Sequence, residues 1–177
     1  MSNINKFEKV SYEQFKKDYM ALYGNEFGEE EIKKMYDQIK LPKRATSGSA
    51  GYDFFSPFSM ELDGWTEILI PTGIRAQIKK GEVLMCFPRS GLGMKYYTRI
   101  ANTCAIVDSD YYFANNEGHI MIKLRVENQL PSPLMIGKGK AFAQGLFMIY
   151  DTTEDDEADG IRTGGMGSTN AWNSKKL

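Results

Sequence analysis

The sequence predicts an all-β sandwich or barrel carrying an N-terminal helical hairpin extension. From Leu41 onward, apolar residues come in short strand-length runs separated by Gly and Pro. No helical period intervenes between those runs, which argues against alternating β-α units. Before Leu41 the period is helical, with aromatics recurring every four residues.

The elements follow in order. Ser11-Tyr12-Glu13-Gln14 is a capping-box pattern, with Val10 and Phe15 placed as its hydrophobic staple. Phe15, Tyr19 and Tyr23 continue that helix, and Gly24 stands where a helix would end. A second helix starts near Phe27-Gly28-Glu29, carries Ile32, Met35, Tyr36 and Ile39 on one face, and stops before Pro42. The two apolar stripes suit packing on the main domain or on a protein partner. Strand-type runs then appear at Tyr52-Asp53-Phe54-Phe55, Ile68 to Ile70, Val83 to Phe87, Ile120 to Val126 and Phe142 to Tyr150. Asp151 to Asp159 is acidic and poor in hydrophobics, so it reads as a solvated linker to a glycine-rich tail. The expected units are a helical extension over 1–41, a β-barrel over 42–150, and a linker with a closing lid over 151–177.

Composition narrows the function. The chain has 177 residues, 42% of them hydrophobic and 25% charged, which suits one soluble domain with an appendage. A net charge of -1 leaves no electrostatic footprint for nucleic acid or an anionic membrane. No apolar run reaches the length of a membrane span, and the polar start does not resemble a signal peptide, so a cytoplasmic protein is expected. Cys86 and Cys104 are expected as reduced thiols in apolar surroundings, with a structural disulfide between them as the less favoured alternative. The single histidine, His119, excludes a multi-histidine metal site.

Several short segments carry chemistry. The run Arg162-Thr163-Gly164-Gly165-Met166-Gly167-Ser168-Thr169-Asn170 is too glycine-rich for a helix or strand. It is either a flexible terminus or a backbone that closes on a polyphosphate. Pro88-Arg89-Ser90-Gly91 supplies a guanidinium fork, a hydroxyl and an unobstructed amide after an apolar strand. The same four residues also suit a plain turn. Asp108-Ser109-Asp110 puts two carboxylates after another apolar strand, suited to taking a proton from water or to an Asx-type turn. Asp53 and Gln144 are polar groups in otherwise apolar strands, where each needs a partner.

Taken in order, five segments resemble the five motifs of the homotrimeric dUTPase family, over about residues 42 to 170. They are Ala50-Gly51-Tyr52-Asp53, Pro88-Arg89-Ser90-Gly91-Leu92, Asn102 through Tyr111, Gly139 through Gln144, and Arg162 through Thr169. The resemblance implies a jelly-roll β-barrel whose three subunits share three active sites. It also implies hydrolysis of dUTP to dUMP and pyrophosphate, with Mg²⁺ held mainly by the triphosphate. Asp108 would be the general base, and the Tyr111 ring would pack under the deoxyribose and exclude a 2′-hydroxyl. Asn102 and the backbone of Ala105, Ile106 and Val107 would read the uracil amide edge. Arg89, Ser90, Gly91 and Gln144 would hold phosphates, and Asp53 would touch the metal through water. Arg162, Gly167, Ser168 and Thr169 would close on the terminal phosphate, with Met166 where the family favours a stacking aromatic.

Other positions depart from the family pattern. Ala105 stands where glycine is frequent, and Tyr112 replaces a usual arginine or similar polar residue. Phe113 to Glu117 looks inserted before Gly118-His119, which makes His119 a structural residue at a strand start. Lys140-Ala141 replaces an acid-arginine pair, so Lys140 would rebuild the contact to Asp53 or to phosphate. The related dCTP deaminases need a glutamate in the base pocket; the corresponding region offers Asp108 before Tyr111 and no obvious glutamate, which leaves Glu117 and Glu127 as the alternatives. A regulatory protein-binding member of the same fold is the other alternative.

Overall fold

The computed structural model describes residues 4–165; Met166, Gly167, Ser168 and Thr169 of the expected lid lie outside the described residues. The chain opens with β1 (Lys6–Lys9), followed by α1 (Tyr12–Tyr23) and α2 (Glu29–Asp37). Five strands come next: β2 (Lys43–Arg44), β3 (Tyr52–Phe55), β4 (Met60–Leu62), β5 (Glu67–Pro71) and β6 (Ile74–Gln77). Then come β7 (Glu82–Pro88), α3 (Ser90–Tyr96), β8 (Thr98–Ile100) and β9 (Ala105–Val107). A 3-10 turn at Ser109–Phe113 leads to β10 (Met121–Val126), β11 (Leu134–Ile136) and β12 (Ala141–Ile149).

The molecule is mostly β. Its largest sheet runs β2-β3-β12-β7-β9 with antiparallel neighbours throughout. Beside it are a three-stranded sheet, β5-β10-β8, and two strand pairs, β1-β6 and β11-β4. Strand alternation buries one face of each ladder: Ile122, Leu124 and Val126 of β10 all point inward. They join Phe54, Ile70, Leu84 and Phe142 in one core.

The two N-terminal helices contribute to that core. Phe15 and Tyr19 of α1 and Ile32 of α2 are buried in it. Ser11 caps α1 by accepting from the Gln14 amide at 3.1 Å. The reciprocal half of the capping box does not form. The Gln14 side chain turns to Asp18 at 2.7 Å, and the Ser11 amide donates instead to Glu117 at 2.7 Å. Gly73, between β5 and β6, has φ +71°, and a Cβ there would stand 2.3 Å from Ile39. Only glycine lets the segment after α2 lie this close to the sheet. The apolar stripes expected at the helices are therefore covered by the chain's own core, while Glu30, Lys33, Lys34 and Asp37 face outward.

Two elements differ from the sequence-based expectation. Residues 6–9 form a strand, not part of a helical segment. Lys-Phe-Glu-Lys is too short and too charged to signal one, and its pairing partner, β6, is remote in sequence. Phe7 decides the matter by entering an aromatic cluster, 5.6 Å from Phe54 and 5.4 Å from Tyr52. The second is α3, which runs through a stretch with two glycines that reads as a turn from sequence alone.

Candidate active site

Three adjacent strands bring one group of polar residues together. On β12, Gln144 lies opposite Asp53 of β3 and Phe87 of β7. The Arg89 guanidinium, just past the end of β7, stands 3.2 Å from Asp53 Oδ1. Asp53 therefore finds its cation in Arg89, and the expected Lys140–Asp53 contact does not form. The Gln144 amide donates to the Pro88 carbonyl at 3.2 Å. A Cβ on Gly51 would lie 2.7 Å from Gln144 Oε1, so glycine at 51 keeps that amide in place. Ser90 and Gly91 open α3 beside Arg89 and are exposed.

A second group surrounds β9. Strand alternation buries Ala105 and Val107 and leaves Ile106 outside. Asn102 sits in the connection before β9, next to Thr103, which adopts φ +66°. Asn102, Ala105 and Tyr111 line a cleft of about 370 Å³ with Leu69, Asn116 and Met121. That volume suits a small organic ligand. Asn116 was not foreseen: its asparagine-rich, glycine-terminated context reads as a turn, and only the fold returns it to the cleft. Its side chain donates to the Tyr111 hydroxyl at 2.8 Å, and that hydroxyl donates to the His119 carbonyl at 2.8 Å. Tyr111 is thereby held as one wall of the cleft.

Asp108 precedes the 3-10 turn, and its side chain makes no capping bond to it. Instead its carboxylate meets Arg162 Nη2 at 2.5 Å, while Arg162 Nε stands 3.0 Å from Asp110 Oδ1. That second contact brings charge close, but Nε lacks hydrogen-bond alignment. The Arg162 guanidinium also lies 5.6 Å from the Tyr111 ring centre. The Asn115 amide donates to the Thr163 carbonyl at 3.1 Å, fixing the returning chain. Arg162, expected toward a phosphate, here contacts both carboxylates after β9 and offsets one of their two charges.

Asp108 and Arg89 lie at opposite ends of β7. Register pairs Leu84 with Val107 and Cys86 with Ala105, so Asp108 falls toward the Glu82 end. Arg89 falls beyond the Pro88 end. The strand from Leu84 to Pro88 alone spans ~13 Å at ~3.3 Å per residue.

Other chemistry is sparse. Among the described residues, no three His, Cys, Asp or Glu side chains gather as a metal site. Burial pushes the Cys86 thiol up to about 12, so it is protonated and unreactive at neutral pH. No helix among the described residues is long and apolar enough to cross a membrane.

Comparison with known proteins adds the decisive observation: the dUTPase family model matches residues 37–171. The chain belongs to the dUTPase family. It is 38% identical over 136 residues to deoxyuridine 5′-triphosphate nucleotidohydrolase of Lactococcus lactis, covering 75% of this chain and 89% of the relative. The crystal structure of dUTPase from Streptococcus mutans superimposes with a TM-score of 0.60 at 29% identity, covering 84% of this chain and 98% of that one. A mutant dUTPase from phage phi11 of S. aureus, described with a coordinated structural Mg(II) ion, shares the fold at 17% identity. Its TM-score is 0.57, over 89% of this chain and 98% of the other. In this dUTPase family member, Tyr111, Asn116 and Ala105 line the cleft beside β9.

Proposed function

We propose that this chain hydrolyses dUTP to dUMP and pyrophosphate as a homotrimer whose active sites are shared between subunits. The observation that carries this reading is the separation of Asp108 from Arg89 along β7. A cleft with one carboxylate base and a distant cluster of phosphate donors are each incomplete. Joining the base-side group of one copy to the phosphate-side group of another completes a site. In this reading residues 1–41 are an extension, 42–150 form a jelly-roll β-barrel, and 151–177 are the linker and lid.

In the base-side cleft, Asn102 and the Ala105–Val107 backbone read the uracil edge, and Tyr111 packs under the deoxyribose. Asp108 takes a proton from the water that attacks the α-phosphorus. Its carboxylate is first released from Arg162, because a polyphosphate offers that guanidinium several anionic oxygens in place of one. Arg162 then follows the phosphates, with Gly167, Ser168 and Thr169 closing behind it and Met166 covering the base.

At the other end, Arg89, Ser90, Gly91 and Gln144 hold phosphate oxygens by charge and hydrogen bonding. Asp53 fits a magnesium role as a single carboxylate that already uses one oxygen for Arg89. Magnesium takes oxygen ligands and keeps several waters, so one carboxylate suffices to hold a triphosphate-bound ion through water. When bound, the ion neutralises phosphate charge.

Mg²⁺-dependent release of pyrophosphate from dUTP, monitored with dCTP and UTP as controls, tests the proposal. Rapid turnover of dUTP and little of the others is expected. Binding of dUTP without turnover would exclude the hydrolase reading, and ammonia from dCTP would favour a deaminase.

A further inference from the structure

The segment from Tyr111 to His119 lies between the base-side cleft and the N-terminal extension, and polar bridges tie it to that extension. The Tyr112 hydroxyl donates to Glu8 of β1 at 2.6 Å, and Arg75 stands 4.3 Å over the Tyr112 ring. The Glu117 carboxylate accepts both the amide and the hydroxyl of Ser11, at 2.7 and 2.6 Å. His119 is fully buried; its Nε2 accepts from the Gly73 amide at 2.8 Å, which leaves the ring proton on Nδ1. That nitrogen faces Asp18 of α1 at 2.5 Å.

The same segment presses directly on Tyr111. Gly118 has φ +69°, and a Cβ there would lie 2.7 Å from the Tyr111 carbonyl oxygen. Glu117, just before it, adopts φ +57°, a left-handed conformation unusual for a long side chain. A residue kept in such a conformation is held by its surroundings, and here Ser11 supplies the hold.

We propose that the N-terminal extension is the element that positions the sugar-discriminating wall. Ser11 acts through Glu117, and Asp18 acts through His119, to press the 114–119 turn against Tyr111. This rests on the reading of Tyr111 as the ring that faces the deoxyribose. An apolar wall rejects an added hydroxyl only weakly unless it cannot give way. The extension supplies that stiffness, and Ser11, Asp18 and Glu117 are positioning residues that touch no substrate.

The test compares dUTP with UTP as substrates of the full chain. Glu117→Asn shortens the side chain beyond reach of Ser11, while asparagine tolerates the left-handed backbone. The kcat/KM preference for dUTP over UTP should fall by about tenfold, the scale of a softened pocket contact. The KM for dUTP should rise more than kcat falls, and Ser11→Gly added to Glu117→Asn should lower the preference no further. Ser11→Gly alone costs a helix cap little, so it provides a second variant that folds; its preference should fall in the same direction. If the parent chain prefers dUTP while both variants keep that preference, the inference is overturned and the hydrolase reading stands. If the parent chain releases no pyrophosphate from dUTP, the hydrolase reading falls and takes this inference with it.

Discussion

Past the end of β9, Tyr111 is buried and locked by Asn116 and the His119 carbonyl. Beyond the Pro88 end of β7, Arg89 is 44% exposed and held by one contact to Asp53. The first region is shaped in advance and backed by two helices. The second is open and held by charge. Recognition of a flat base and a sugar depends on walls that do not move, because discrimination there is a matter of shape. Capture of phosphates depends on donors that can reach, because charge attraction acts at longer range than contact between shapes. In the proposed trimer each site takes its rigid half from one copy and its reaching half from another.

The largest effect that would sharpen this contrast is expected from Asp108→Asn. Loss of a general base should lower pyrophosphate release by about 10²–10⁴-fold, with dUTP binding retained. Undiminished turnover would remove Asp108 from its role. Next, Arg89→Ala chains should also be nearly inactive alone, yet regain activity when refolded together with Asp108→Asn chains. Mixed assemblies would then hold some sites with both halves intact; no recovery on mixing, with mixed trimers verified by mass spectrometry, would break the shared-site picture.

A smaller effect is expected from Gly118→Ala. The new methyl meets the Tyr111 backbone in a left-handed turn, so unfolding stability should drop by about 1–3 kcal/mol in denaturant melts. An unchanged midpoint would mean that the turn yields to the added methyl and does not press on Tyr111.

The smallest concerns acid stability. Hydrogen bonds from Lys6, then Tyr112, hold the Glu8 carboxyl down from 4.5 to about 2. A depressed carboxyl stabilises the fold above its unfolded pKa, and that contribution drains away as pH falls from 4.5 toward 2. Glu8→Gln should therefore show a shallower loss of stability across that window than the parent chain. Parallel curves would show that Glu8 does not anchor the turn.

Much of the molecule was legible in sequence because it rests on local signals. The Ser11 cap, the Gly24 stop and the strand runs at β3, β7 and β12 each lie within a few residues of their cause. What escaped reading is nonlocal. β1 becomes a strand because β6 meets it, and Arg89 takes Asp53 because β12 brings β3 beside β7. His119 reads correctly as structural, but its partners, Asp18 and Gly73, are set by the packing of α1 on the sheet. Of the candidate site, the residue types were visible, while the placement of Asp108 and Arg89 at two ends of one strand needed the register.

Residues 151–161, exposed throughout, join the end of β12 to Arg162. Such a tether keeps its cargo at an effective concentration on the order of millimolar around the acidic pair after β9. In the proposed mechanism the chain therefore carries its own competitor for the catalytic carboxylate. An empty site is occupied by its guanidinium, and arrival of a polyphosphate exchanges one anion for another without that cation ever leaving the vicinity.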